Sequence, residues 1–148
     1  MRTGNEALYD EIISVLHAEY ECAESLQASS SEIQSLIDAE KFVQVQERLF
    51  ARGEVVELMI SLDCQLAELL ARKPLNAVQE GWEDVLALAG RLRELMNSVM
   101  GMDRVSRGKL EESRRDVGER LQALQKGRKL ARSYGRCYDH QSHSLMNA

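Results

Sequence analysis

From Leu8 onward the apolar residues of this 148-residue chain recur in alternating steps of three and four. That spacing keeps one face of a helix turned toward a neighbour along its whole length. Positions 8, 12, 15/16, 19/20, 23 and 26 open the series, and 33, 36 and 37 continue it. Ser29, Ser30 and Ser31 interrupt the stripe without moving its phase. One long helix with a weak or bent middle is therefore predicted from Asn5 to Asp38. A second stripe contains Phe42, Val45, Leu49, Gly53 with Val56, Met59 or Ile60, Leu62/Asp63, Leu66 and Leu69/Leu70. It predicts a helix over 39–72, with Asp38 placed to cap it. Pro74, the one proline, ends that helix, and residues 73–81 read as a loop with room for a helical turn over 75–79.

The third element starts at Trp82 and carries Val85, Leu86, Leu88, Leu92, Leu95, Met96 and Val99. Two readings are open beyond it. In one, Gly101 breaks the helix and Asp103 caps a fourth, running through Val105, Leu110, Val117, Leu121 and Leu124 to Tyr134. In the other, a single helix spans the stretch in the same phase. Gly135 suits a left-handed helix stop. Residues 136–148, RCYDHQSHSLMNA, have no periodicity and are expected to form a disordered tail. With two phenylalanines and one tryptophan among many Leu, Glu, Arg, Ala and Gln, the composition favours long helices. The expected fold is all-α: an elongated, coiled-coil-like antiparallel bundle of three to four long helices, forming one domain over residues 1–135.

No apolar run approaches the length of a membrane span, and the N-terminus lacks the pattern of a secretion signal. A cytoplasmic protein without membrane insertion is expected. Cys22, Cys64 and Cys137 are far apart and show no paired spacing. Cys22 and Cys64 fall on or beside apolar stripes, where they would pack as small hydrophobes. Charge is segregated: residues 104–136 hold eleven Lys/Arg against four Asp/Glu, whereas the whole chain is −5. Such a basic stretch is neutralised by acidic helices within the fold or turned toward an acidic partner.

Signatures of catalysis are missing. The nine glycines are scattered singly, so no phosphate loop is present, and no Glu-x-x-His pair supports a dimetal bundle. His17 stands alone on the first helix, and Glu111 with Glu112 read as solvated carboxylates. Cys137, His140 and His143 have a metal-like spacing in the tail, but nothing orients them. No enzyme activity, cofactor or metal is expected. Arg114, Arg115, Arg120, Lys126, Arg128, Lys129, Arg132 and Arg136 would suit phosphates, but the aromatics that stack bases are missing, so no nucleic-acid partner is expected.

Three segments resemble the FlgN/FliT-type flagellar export chaperones. Residues 36–59, LIDAEKFVQVQERLFARGEVVELM, are similar to a short break leading into a helix with a Leu-x-x-Arg step, here Leu49 to Arg52. Residues 102–124, MDRVSRGKLEESRRDVGERLQAL, resemble the later helix with its acidic opening and Val-x-x-x-x-Leu stripe. Residues 124–135, LQKGRKLARSYG, resemble the closing basic helix, with Gly127, Arg128, Lys129 and Tyr134 in its motif positions. The resemblance implies a small cytosolic helical protein that holds a secretion substrate, a hook–filament junction or filament-cap protein, by its C-terminal helical segment. It also implies docking on the cytoplasmic export gate through Tyr134 with Arg128 and Lys129. The client groove would include Met96, Val99, Met100, Met102 and Val105, because methionine reshapes to different partners; the same residues also suit an ordinary core. A structural coiled-coil or adaptor protein self-associating through its heptads is the alternative expectation, and a homodimer is compatible with either reading.

Overall fold

The computed structural model describes residues 4–72 and 81–146, with side chains for all of these except residue 5 and residues 136–146. It is all-helical over that range: α1 Gly4–Asp38, α2 Phe42–Ala71 and α3 Trp82–Met146. Pro74 and the rest of 73–80 lie outside the described residues. By their contacts the residues fall into two units, Met1–Arg107 and Gly108–Ala148.

In the first unit the helices bundle, α1 along its predicted seam. On α1 the buried residues are Tyr9, Ile12, Leu16, Glu19, Ala23, Leu26, Ser30, Ile33 and Ile37, with Cys22 beside them. The steps of three and four pass straight through the serine run, with Ser30 wholly buried. On α2, Val45, Leu62 and Leu69 are buried, and Arg52, Val55, Met59 and Leu66 are half-buried between them. Val85, Leu88, Val99 and Ser106 are the buried positions of α3. Tyr9, Ile12, Leu16, Leu69, Val85 and Leu88 form one apolar cluster, with Trp82 packed at its edge.

Pairings between the helices set their directions. Glu32 bonds Arg48 at 2.9 Å, while Glu19 reaches Asp63 further along, so α1 and α2 run antiparallel. The Tyr9 and Trp82 rings lie 6.1 Å apart, and Ser30 donates to Asp103 at 2.7 Å, so the described start of α3 runs parallel to α1.

The α1–α2 turn corrects one expectation. Asp38 is the last residue of α1 and does not cap α2, whose N-cap is Lys41 without a side-chain bond. The amide of Lys41 donates to the Leu36 carbonyl at 2.9 Å and that of Glu40 to Ile37 at 3.0 Å. This is a Schellman stop, with Glu40 in the left-handed slot at φ 57°. A side chain there is strained by about 1 kcal/mol, so Glu40→Gly is expected to gain up to that amount, less glycine's extra chain entropy. An unchanged urea midpoint would count against it.

Asp103 is the second correction. It lies inside a continuous α3 and caps nothing. Arg52 donates to both its carboxylate oxygens at 2.8 Å, and Ser30 donates to Oδ1 at 2.7 Å. Burial alone would raise the Asp103 carboxyl. The hydrogen bonds from Arg52 and Ser30, with the charges of Arg52 and Arg107, instead hold it below the usual aspartate range. One carboxylate thus ties three helices at a single level.

In the second unit the helical backbone passes through Gly135 and through residues 136–146, where the composition predicts a stop and a disordered tail. A glycine stops a helix only by turning left-handed, and among the described glycines Gly81 alone has positive φ.

Candidate functional site: exposed helix faces

The five residues expected to line a client groove do not share one face. Val99 is buried, Met96 and Met102 are half-buried, and Met100 and Val105 are more than half exposed. At about 100° per residue, Met100 and Val105 point some 140° apart around α3. Met102 lines a shallow cleft with Tyr20, Glu24, Gln27 and Leu95. Val99 belongs to the core stripe, and the methionines flank it on both sides.

The residues assigned to export-gate docking are accessible. Tyr134 is 75 % exposed, and Arg128, Lys129 and Leu130 are exposed with it. Arg128 among them belongs to a larger feature. Val117, Leu121 and Leu124 continue the three–four spacing of α3 through the second unit, and each is more than half exposed. Arg120, Ala123, Leu124, Gly127, Arg128 and Ala131 line a trough on this face. Ala123, Gly127 and Ala131 keep it shallow and smooth, a surface that accepts side chains of another helix. Between residues 120 and 135 the charged residues are Arg120, Lys126, Arg128, Lys129 and Arg132, without one acid. The result is an apolar stripe bordered by Arg120, Arg128 and Arg132, with Lys126 and Lys129 on the far side of the helix.

The second exposed face, on α2, is partly hidden in the sequence. Leu49, Val56 and Ile60 fit the predicted seam, yet they face outward at 45 %, 41 % and 58 % exposure. The seam is shifted by one side of the helix and takes Arg52 in their place. The shift follows from chemistry: Arg52 has Asp103 to meet, and its stem packs while its head pairs. Phe42, Leu49, Val56, Ile60 and Leu70 therefore form an outer stripe, broadened by Val43 and Phe50, the latter 86 % exposed. Glu47, Glu54, Glu57 and Glu68 are exposed on the same helix. Its two arginines are engaged, Arg48 with Glu32 and Arg52 with Asp103. The stripe itself is apolar; Glu47, Glu54 and Glu68, each two residues before one of its members, lie on the far side of the helix.

Other chemistry on the described surface is sparse. Glu19 is 1 % exposed, and its carboxyl is pushed up to about 7 by burial, then by the hydrogen bond to Asp63 and that residue's charge. Cys22 is buried, which raises its thiol, whereas Cys64 is exposed on α2 and does not pack as a small hydrophobe. Among the described residues no three His, Cys, Asp or Glu side chains are grouped to hold a metal ion. The side chains of Cys137, His140 and His143 lie outside the described residues. No described helix is long and apolar enough to cross a membrane. In comparisons with known proteins, no family model, curated protein or solved structure matches the chain.

Proposed function

We propose that this protein is a non-enzymatic, client-binding helical chaperone of flagellar export, of the FlgN/FliT type and working in the cytoplasm. The observation that supports this reading is the exposed stripe Val117, Leu121, Leu124 and Ala131 with its basic border. A helix in water does not gain from leaving leucines uncovered along several turns; such a face suits an amphipathic partner helix inserting anchors at i, i+3, i+4 and i+7. The client is the C-terminal helical segment of a hook-junction or filament-cap protein, with acidic flanks to meet the bases. The bundle is elongated and coiled-coil-like, and its heptads serve as the platform. Tyr134, with Arg128 and Lys129, docks on the export gate.

Calorimetry with C-terminal peptides of junction and cap proteins tests this. Saturable binding to one peptide, with the negative heat-capacity change of apolar burial, is the expected result. Leu121→Glu with Leu124→Glu should abolish it. Tyr134→Ala should keep peptide affinity and lose affinity for the gate's cytoplasmic domain. Absence of binding to every peptide would reject the reading. The structural adaptor remains the second reading, favoured by the outer stripe of α2.

A further inference from the structure

Within the first unit, the outer side of the α2–α3 contact is a face whose two rows match each other. The rows are Leu49, Val56, Asp63 and Leu70 on α2, and Leu86, Arg93, Met100 and Arg107 on α3, each stepping by seven residues. Leu49 and Val56 flank Arg52 on the side opposite Arg48, Ala51 and Val55, which border α1. Leu86, Arg93 and Met100 lie on the side of Asp103 away from Leu95 and Met102, which also border α1. Both rows therefore open away from α1. Their apolar members are all exposed, as are Asp63, Arg93 and Arg107. The Arg52–Asp103 pair fixes the register of these antiparallel helices, and the cluster joining Leu69 to Val85 and Leu88 agrees with it. Counted from that pair, Val56 is level with Met100, Asp63 with Arg93, Leu70 with Leu86 and Leu49 with Arg107, each within one residue's rise of about 1.5 Å.

We infer that this α2–α3 face is an interface for a second copy of the chain, which docks by the same face about a two-fold axis running along the helices. Such an axis preserves every level and lays each α2 on the α3 of the other copy. Val56 then meets Met100, Leu70 meets Leu86 and Asp63 meets Arg93 of the second copy, each contact made twice. An acid and a base on opposite rows at one level are what a surface needs to complement itself. An axis across the helices would instead stack α3 on α3, where the charges of the row are both arginines. With helices about 10 Å apart, the face from Leu49 to Leu70 covers about 32 Å by about 20 Å in plan. That is about 640 Å² on each copy, close to the about 800 Å² per partner that stable complexes bury. The inference does not rest on the export reading, whose client stripe lies in the other unit.

Sedimentation equilibrium of the full chain, with two charge-reversing variants, tests it. The wild type is expected to be a dimer. Asp63→Arg sets arginine on arginine at both contacts, and Arg93→Asp sets aspartate on aspartate. Each should raise the dissociation constant by about tenfold or more. Mixed in equal amounts, the two variants form a heterodimer in which both contacts again join an acid to a base, so dimers should return. Arg93→Asp leaves the hydrogen bond between Glu19 and Asp63 in place, which keeps its loss of association separate from any change in the core. Val56→Lys with Met100→Lys should leave a monomer of unchanged far-UV circular dichroism, since both residues are exposed. A wild-type monomer at about 100 µM would overturn the inference. So would charge variants that associate as the wild type does, or a mixture no tighter than its components. A monomer that still binds the client peptide would leave the export reading standing, and a dimer that binds none would reject that reading alone.

Discussion

Replacing Asp103 with alanine is expected to lower the free energy of unfolding by about 2–3 kcal/mol. Arg52 donates both nitrogens to this carboxylate, and the Arg52 side chain is only 11 % exposed. Its charge would then sit in the α2 seam without an acceptor. Ser30 is fully buried and would lose the acceptor of its hydroxyl. Breaking a buried ion pair from one side costs about 3–5 kcal/mol. The Asp103 side chain is 40 % exposed, so solvent screens the pair and the lower figure applies. Arg52→Met should cost less, because methionine fills the seam and leaves Asp103 with Ser30 and partial solvation. Urea unfolding of both variants at pH 7 decides the matter; losses under about 0.5 kcal/mol would show that the node fixes register without stabilising the fold, and equal losses would show that methionine does not fill the seam. Since the Asp103 carboxyl is held low in the folded state, the pair keeps its contribution through mild acid. It is lost only as pH falls through that lowered value.

The same node marks where the sequence could and could not be read. The helices, their order and the buried face of α1 are legible because each core position adds the same apolar preference at a fixed spacing. Ser30 could be placed in phase, but its burial could not be foreseen: a serine is buried only when its hydroxyl has an acceptor, and that acceptor lies 73 residues away. Arg52 stood in the quoted Leu-x-x-Arg step and Asp103 in the cap position, and nothing local joins them. Having missed that pair, apolar content alone draws the α2 seam through Leu49 and Val56, and so conceals that α2 has two apolar faces. Glu40 is the converse case. Its left-handed turn carries no glycine signal, so Asp38 appeared the better boundary. Of the candidate site, Arg128, Lys129 and Tyr134 were legible as a basic, aromatic helix segment, and their exposure was not. Exposure depends on what packs over a residue, a tertiary property. The methionines illustrate the same limit, since a residue that suits both core and groove gives no hint of which side of α3 it occupies.

Glu19→Gln is expected to remove most of the pH dependence of stability between pH 4.5 and 7, and to stabilise the protein at alkaline pH. Glu19 occupies a core position of α1, 1 % exposed, with Oε1 lacking a hydrogen-bond partner. Burial is the main reason its carboxyl holds its proton up to about 7 rather than 4.5, with Asp63 adding a hydrogen bond and an unfavourable like charge. The sign follows from proton binding. Between these two values the folded state keeps a proton that the unfolded chain releases, so stability falls as pH rises and the full loss is reached above about 7. Below 4.5 both states are protonated and the group contributes no slope. At about 1.4 kcal/mol per unit the shift corresponds to roughly 3 kcal/mol, an upper figure because Asp63 is exposed and solvent weakens its charge. Glutamine is neutral throughout and its amide can donate to Asp63 as the acid does. The variant should therefore match the wild type near pH 4.5 and exceed it by about 1–3 kcal/mol at pH 8. Urea midpoints measured at half-unit intervals of pH give both curves. Parallel profiles would place the titration elsewhere, whereas a variant less stable at every pH would mean that the buried amide is worse satisfied than the acid it replaced.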